Sequence, residues 1–205
     1  NLQPNGTAIL SSLRGSDSPD VHEPTTLWGA SGATIDKEDF VEHEARGLLQ
    51  LPVLGSPILV VHSKDVTGGL GSKDAKALNL TAPVLAGIFS NRILWWNDTA
   101  IQAANPTLTL PNERITVVVR SDKSGMSQCF TQYIEYSNPT TWPEEAVGKS
   151  PDWPLANLSP SSEADRCLAD TPYCNFEADG QTGIDVNLLR RPYKIDYLEL
   201  GYFAP

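Results

Sequence analysis

The sharpest periodicity in the chain lies between Met126 and Tyr136. Met126, Cys129, Phe130, Tyr133 and Ile134 recur at the spacing of one helical face, which predicts an amphipathic helix with these side chains inward. Just upstream, Ile115–Val119 (ITVVV) is an unbroken β-branched run, the pattern of a strand buried on both faces. Arg120–Gly125 is the loop between them. Earlier in the chain, Thr81 is positioned to cap a helix with Pro83 in its first turn and Val84, Leu85, Ile88 and Phe89 as its apolar face. A shorter helix, Asp98–Ala104, is ended by Pro106. Leu48–Leu54 and Ile58–His62 are apolar runs broken by Pro52 and Pro57. They read as buried strand segments bent by the prolines.

The remaining pattern is weaker. Residues 6–14 read as a short helix stopped by Gly15, and Thr25–Ala30 as a strand entering the turn Gly29-Ala30-Ser31-Gly32. Ile35–Ala45 reads as an acidic helix. Residues 63–77 form a polar linker, in which GGLGSK lacks the Walker A spacing and reads as a flexible loop. Residues 137–180 read as a long irregular excursion, Gly183–Leu189 as the start of a helix, and Tyr193–Leu200 (YKIDYLEL) as an alternating strand. Strands alternate with helices throughout, which is the signature of an α/β fold.

Composition narrows the function classes. The 205 residues, 40% hydrophobic and 20% charged, suffice for a true core. A net charge of −10 argues against nucleic acid or an anionic membrane surface as the main partner. No run of about twenty apolar residues offers a membrane span. The chain begins at Asn1 without Met, which suggests a mature or excised piece. Four N-x-[S/T] sequons, at Asn5, Asn79, Asn97 and Asn157, suggest N-linked glycans. Cys167 and Cys174 flank a Pro-containing loop that a local disulfide would close. Together these favour a secreted, extracellular glycoprotein of a eukaryote. Cys129, on the expected inner helix face, reads as a buried free thiol, with a bond to another chain as the alternative.

Candidate chemistry centres on ITVVV-RSDKSG-MSQCFTQYI. A buried strand ends, a Ser-containing loop turns, and a helix begins with its unpaired N–H groups and its dipole directed at the loop, an arrangement suited to an anion. Arg120 is either a bidentate oxyanion donor or the partner of a surface carboxylate. Ser121 supplies a hydroxyl, and Ser124 supplies another or caps the helix. Nothing resembles a catalytic constellation: there is no G-x-S-x-G, H-E-x-x-H or Walker A motif. His22, His43 and His62 are scattered, with no metal-ligand spacing. Glu144-Glu145 reads as a solvated helix start, and Trp95-Trp96 as rim and core. No cofactor is implied, and the chain is expected not to be an enzyme.

The stretch Leu80–Ile134 resembles the phosphate-binding proteins of bacterial phosphate transporters, the PstS-like group of the type II periplasmic-binding-protein superfamily. The family reads there as a helix ending in GIF, a W-x-D unit, N-P, L-P, I-T-V-V and R-S-D-x-S-G-T. LWGASGATIDKEDF resembles its D-F-G-A-S-D turn, LLQLPVLGSPILVV its crossing between lobes, and GIDVNLLRRPYKIDYLELGY its closing segment. The resemblance implies a periplasmic-binding-protein-like α/β fold with one complete lobe and part of another. Residues 1–55 would be the partial first lobe, 56–200 the second lobe and 201–205 a tail. It also implies phosphate or another oxyanion held by Arg120, Ser121, Asp122, Ser124 and Gly125, with Ser31 and Thr7 from the first lobe. Two positions depart from the pattern: Met126 stands where the family has Thr, and Gly32 where it has the Asp that accepts from phosphate.

Two functions follow. In one, the chain is a non-enzymatic module repurposed as a structural or assembly subunit, its first lobe completed by another copy, a neighbouring chain or a neighbouring domain. In the other, it is a working oxyanion binder that uses the helix start after RSDKSG. The degraded first-lobe site favours the structural reading.

Overall fold

The computed structural model describes residues 32, 34–44, 47–67, 77–155, 158–160, 175–180 and 192–200. In order, the elements are α1 (Lys37–Glu44), β1 (Ile58–His62), α2 (Ala82–Phe89), α3 (Thr99–Ala104), β2 (Thr116–Arg120), α4 (Gly125–Ser137), β3 (Leu158–Pro160), β4 (Asn175–Ala178) and β5 (Lys194–Glu199). Short 3-10 turns lie at Lys64–Val66 and Glu144–Ala146. The expected elements at 6–14, 25–30 and 183–189, and the GGLGSK loop, lie outside the described residues.

The strands form one five-stranded sheet in the order β1-β5-β2-β4-β3. β2 is parallel to both of its neighbours, with Val118 opposite Phe176 and Thr116 opposite Lys194. β1 runs antiparallel to β5, with Val60 opposite Tyr197. A β-branched sequence favours β2's central place, because strands covered on both faces need apolar side chains in succession. Val117, Val118 and Val119 are accordingly buried.

α4 packs on α2 and β5. The contact is aromatic: Phe130 stacks on Tyr197 at 4.5 Å between ring centroids and meets Phe89 edge-on at 4.8 Å. Trp153 covers Phe89 and Tyr197 from the following loop. Trp96 is buried and donates from Nε1 to the Tyr193 carbonyl, while Trp95 stays half out with the Arg114 guanidinium over its ring. Core and rim therefore fall as the sequence predicts. Glu144 and Glu145 are exposed, in a 3-10 turn.

Several expectations are corrected. Cys129 is exposed, and Tyr133 is half exposed, so neither lies on the inner face of α4. The buried face is instead Ser127, Phe130, Thr131 and Ile134. The shift of the stripe has a hydrogen-bonding cause. Ser127 and Thr131 are tolerated inside because Ser127 Oγ meets Tyr197 Oη at 2.8 Å and Thr131 Oγ1 donates to the Ser127 carbonyl at 2.7 Å. Leu48–Leu54 forms no strand and is mostly exposed, with Leu49 at 72%, Leu51 at 65%, Val53 at 93% and Leu54 at 91%. Ile58–His62 is a strand but only half-buried, being at the sheet edge. β5 does not alternate between core and solvent. Lys194 through Leu198 are all buried, so both faces of this interior strand are covered. β3 and β4 arise inside the expected irregular excursion; strands of three and four residues are too short to leave a period. Thr81 occupies the cap position of α2 without a side-chain cap bond, whereas Asp98 caps α3 by accepting from Ala100 N–H at 2.8 Å.

Candidate functional site

Five of the sequence-predicted residues come together where β2 ends and α4 begins. Arg120 is the last residue of β2, Ser124 is the N-cap of α4, and Gly125 is its first residue. The connecting loop is held at every turn. Ser121 N–H donates to the Ala178 carbonyl at 3.1 Å, extending the β2–β4 ladder by one step. Gly180 N–H, just past β4, donates to Asp122 Oδ1 at 3.0 Å. Ser124 N–H donates to the Lys149 carbonyl at 2.9 Å, and Ser124 Oγ accepts from Met126 N–H at 3.2 Å. The result is a helix N-terminus aimed along a fixed loop at the carboxyl end of a buried parallel strand. In open α/β folds, that is where ligands are bound.

Arg120 combines the two readings left open by its sequence. Its Nε donates to Asp122 Oδ1 at 2.9 Å and its Nη2 to Asp122 Oδ2, a fork-on-carboxylate pair with the guanidinium side chain largely buried. Burial alone would raise the Asp122 carboxyl pKa. The Arg120 hydrogen bonds and charge, with the Gly180 N–H, outweigh it and hold Asp122 below the ordinary aspartate range. Asp122 is therefore an anion at neutral pH that orients Arg120.

Sequence reasoning missed the support beneath this loop. Tyr197 Oη accepts from Arg120 N–H at 3.4 Å and meets Ser127 Oγ, so it ties the end of β2 to the first turn of α4. Burial drives the phenol pKa far above its ordinary range and keeps it neutral. Nothing local in YKIDYLEL marks Tyr197 for this place, since its position depends on the register of β5 beside β2. Lys149 was also missed. Its Nζ donates to Asp36 Oδ1 at 2.9 Å, joining the residue before α1 to the loop that holds Ser124.

Other predicted positions are not brought here. Thr7, Ser31, Asn5, Asn157, Cys167 and Cys174 lie outside the described residues. Gly32 is exposed, and a Cβ placed on it would meet nothing within 4 Å. Asn79 and Asn97 are exposed. Among the described residues, no group of His, Cys, Asp and Glu is placed to hold a metal, and no helix is long and apolar enough to cross a membrane.

A mixed sheet with a helix beginning at its strand ends is shared by many α/β folds, and similarity to known proteins narrows the class. The PBP superfamily domain model matches residues 25–204, and the chain belongs to that family. It is 31% identical over 180 residues to the phosphate-binding protein PstS of Pasteurella multocida, covering 87% of this chain and 44% of that one. It is 37% identical over 128 residues to the phosphate-binding protein PstS 3 of Mycobacterium tuberculosis, covering 61% and 32%. A solved high affinity periplasmic phosphate-binding protein, PfluDING, bound with phosphate, superposes with a TM-score of 0.65 at 19% identity, over 97% of this chain and 48% of that one. The chain thus spans less than half the length of these relatives. The fold is the type II periplasmic-binding-protein fold anticipated from the motifs. The preference for a structural or assembly subunit gains no support from these relatives, which favour the binding alternative.

Proposed function

We propose that the chain is the ligand-binding part of a phosphate- or oxyanion-binding protein, and not an enzyme. The observation that carries this reading is the braced loop between β2 and α4. Arg120 is aimed by Asp122, and the N-terminus of α4 is fixed by Ser124. Preformed donors in a braced loop hold an anion with little reorganisation, so local dipoles prevail over the chain's overall negative charge. Arg120 and the first-turn amides after Ser124 would take the oxyanion, with Ser121 beside them. Ser31 and Thr7 would add hydroxyls from the first lobe. With Gly32 in place of an acceptor carboxylate, the site loses the group that would reward a protonated phosphate, so sulfate should compete with phosphate. An extracellular location fits this role, and the exposed sequons Asn79 and Asn97 would be the glycan acceptors.

Calorimetric titration of the natural protein with inorganic phosphate tests this. Binding at millimolar or lower concentration is expected, and Arg120→Ala should weaken it by roughly 10- to 150-fold, the value of about 1.5–3 kcal/mol for a charged hydrogen bond. No heat at millimolar phosphate, or an unchanged Arg120→Ala isotherm, overturns the reading. Sulfate in the same titration reports on Gly32, and Gly32→Asp should restore a preference for phosphate.

A further inference from the structure

Lys149 stands at the oxyanion loop with its charge already engaged. Its carbonyl accepts from Ser124 N–H at 2.9 Å, which sets its backbone beside the N-cap of α4. Its Nζ donates to Asp36 Oδ1 at 2.9 Å. The backbone on both sides of this pair is fastened. Gly148 N–H donates to Thr131 Oγ1 at 3.1 Å, and Thr131 Oγ1 donates to the Ser127 carbonyl, so the residue before Lys149 is tied to the first two turns of α4. Gly148 has a φ of +140°, which residues with a side chain rarely adopt, and this fixes the direction in which the chain enters Lys149. Asp36 immediately precedes α1, and its carbonyl accepts from Phe40 N–H at 2.9 Å, so the first turn of α1 fixes where its carboxylate stands.

We infer that Lys149 is an affinity-determining cation of the oxyanion site, and that Asp36 sets how much of its charge reaches the ligand. The inference rests on the anion reading of the β2–α4 loop and deepens it. An anion seated on the first-turn amides is one cap residue away from Lys149. A charge need not touch the anion to act on it, because Coulomb attraction persists across a Debye length, about 8 Å at physiological salt. The asymmetry of the pair favours a tuned charge over a mere brace. The Lys149 side chain is 22% exposed and that of Asp36 is 60% exposed. The cation is the better covered and less screened partner, while water weakens the hold of the carboxylate on it. On a chain of net charge −10, a cation at the cap also offsets the repulsion that an incoming dianion meets.

The test is calorimetric titration of the natural full-length protein and three variants with inorganic phosphate. Lys149→Met keeps the length of the stem and removes the charge, and should weaken binding by about 3- to 10-fold. Asp36→Asn leaves the lysine unopposed, and should tighten binding by about 2- to 5-fold. Lys149→Arg keeps the charge and should restore most of the affinity lost in Lys149→Met. The Lys149→Met and Asp36→Asn shifts should shrink as salt is raised from about 0.01 M to about 0.15 M. Inorganic sulfate should show the same shifts, since a charge at a distance does not read the ligand's protons. Weakening by both Lys149→Met and Asp36→Asn overturns the inference, because a brace loses the pair from either side. So do isotherms that neither substitution changes, or a loss in Lys149→Met that persists undiminished at the higher salt. An ion pair this open adds little to stability, so both variants should fold. Should Lys149→Met fail to, Asp36→Asn decides alone: tighter binding supports the inference and weaker binding overturns it. No heat from the unaltered protein overturns the anion reading itself, and this inference with it.

Discussion

Two apolar runs of this chain have opposite fates. Val117, Val118 and Val119 of β2 are at most 1% exposed, whereas Leu49, Leu51, Val53 and Leu54 are 65–93% exposed. Their composition does not separate them, since both would transfer from water favourably at about 25 cal/mol per Å². Their neighbours do. β2 lies between β5 and β4, with Val117 and Val119 in the same core cluster as Phe89, Phe130 and Tyr197, and so finds partners for its backbone and side chains alike. Leu49, Leu51, Val53 and Leu54 find neither among the described residues. An apolar run specifies a need for burial, and the rest of the polypeptide decides whether that need is met among these residues.

Mutations on the two sides of this contrast should differ in size. Phe130→Ala removes the ring between Tyr197 and Phe89 and should destabilise the fold by about 3–5 kcal/mol in urea unfolding. Val53→Ala in the same residues should change stability by less than about 0.5 kcal/mol. Comparable losses would erase the distinction between the two regions. Next in size, Ser124→Ala removes the α4 cap and should cost about 1 kcal/mol, while also weakening phosphate binding because the helix start frays. Loss of stability with binding intact would separate the cap from the proposed site.

The smallest effect is electrostatic. Asp122 titrates below its ordinary value of 3.8 in the folded chain, so the folded state holds fewer protons than the unfolded state in acid. The Arg120–Asp122 contribution to stability is therefore fully present above pH 3.8 and is lost as pH falls through the folded value. Asp122→Asn should flatten the acid limb of the stability profile below pH 4 and leave the Phe130 contribution unchanged. An acid limb that survives the substitution would assign it to other carboxylates.

Much of the sheet and its helices was legible because these elements carry their own signals. ITVVV is a two-face-buried strand, Ser124 is a cap, and the loop between them can present amides and one arginine. The same reading failed where local pattern and tertiary partner disagreed. Cys129 and Tyr133 fit an apolar helical stripe, but the true inner face admits Ser127 and Thr131 because Tyr197 and the backbone satisfy their hydroxyls. β3 and β4 are too short to be periodic, although β4 supplies both Ala178 and the approach to Gly180, which hold the loop. Arg120 and Asp122, two residues apart, were both named from the sequence, but their pairing depends on how the loop closes over β4.

The sequence by itself determined the α/β class, the strand–loop–helix unit and the family, because these rest on runs of residues whose preferences are local. Only the tertiary structure decided that Asp122 would aim Arg120, that Tyr197 would brace the end of β2, and that one apolar run would be core and another surface. Each of these depends on which strands become neighbours. That is a property of long-range pairing, which no window of sequence contains.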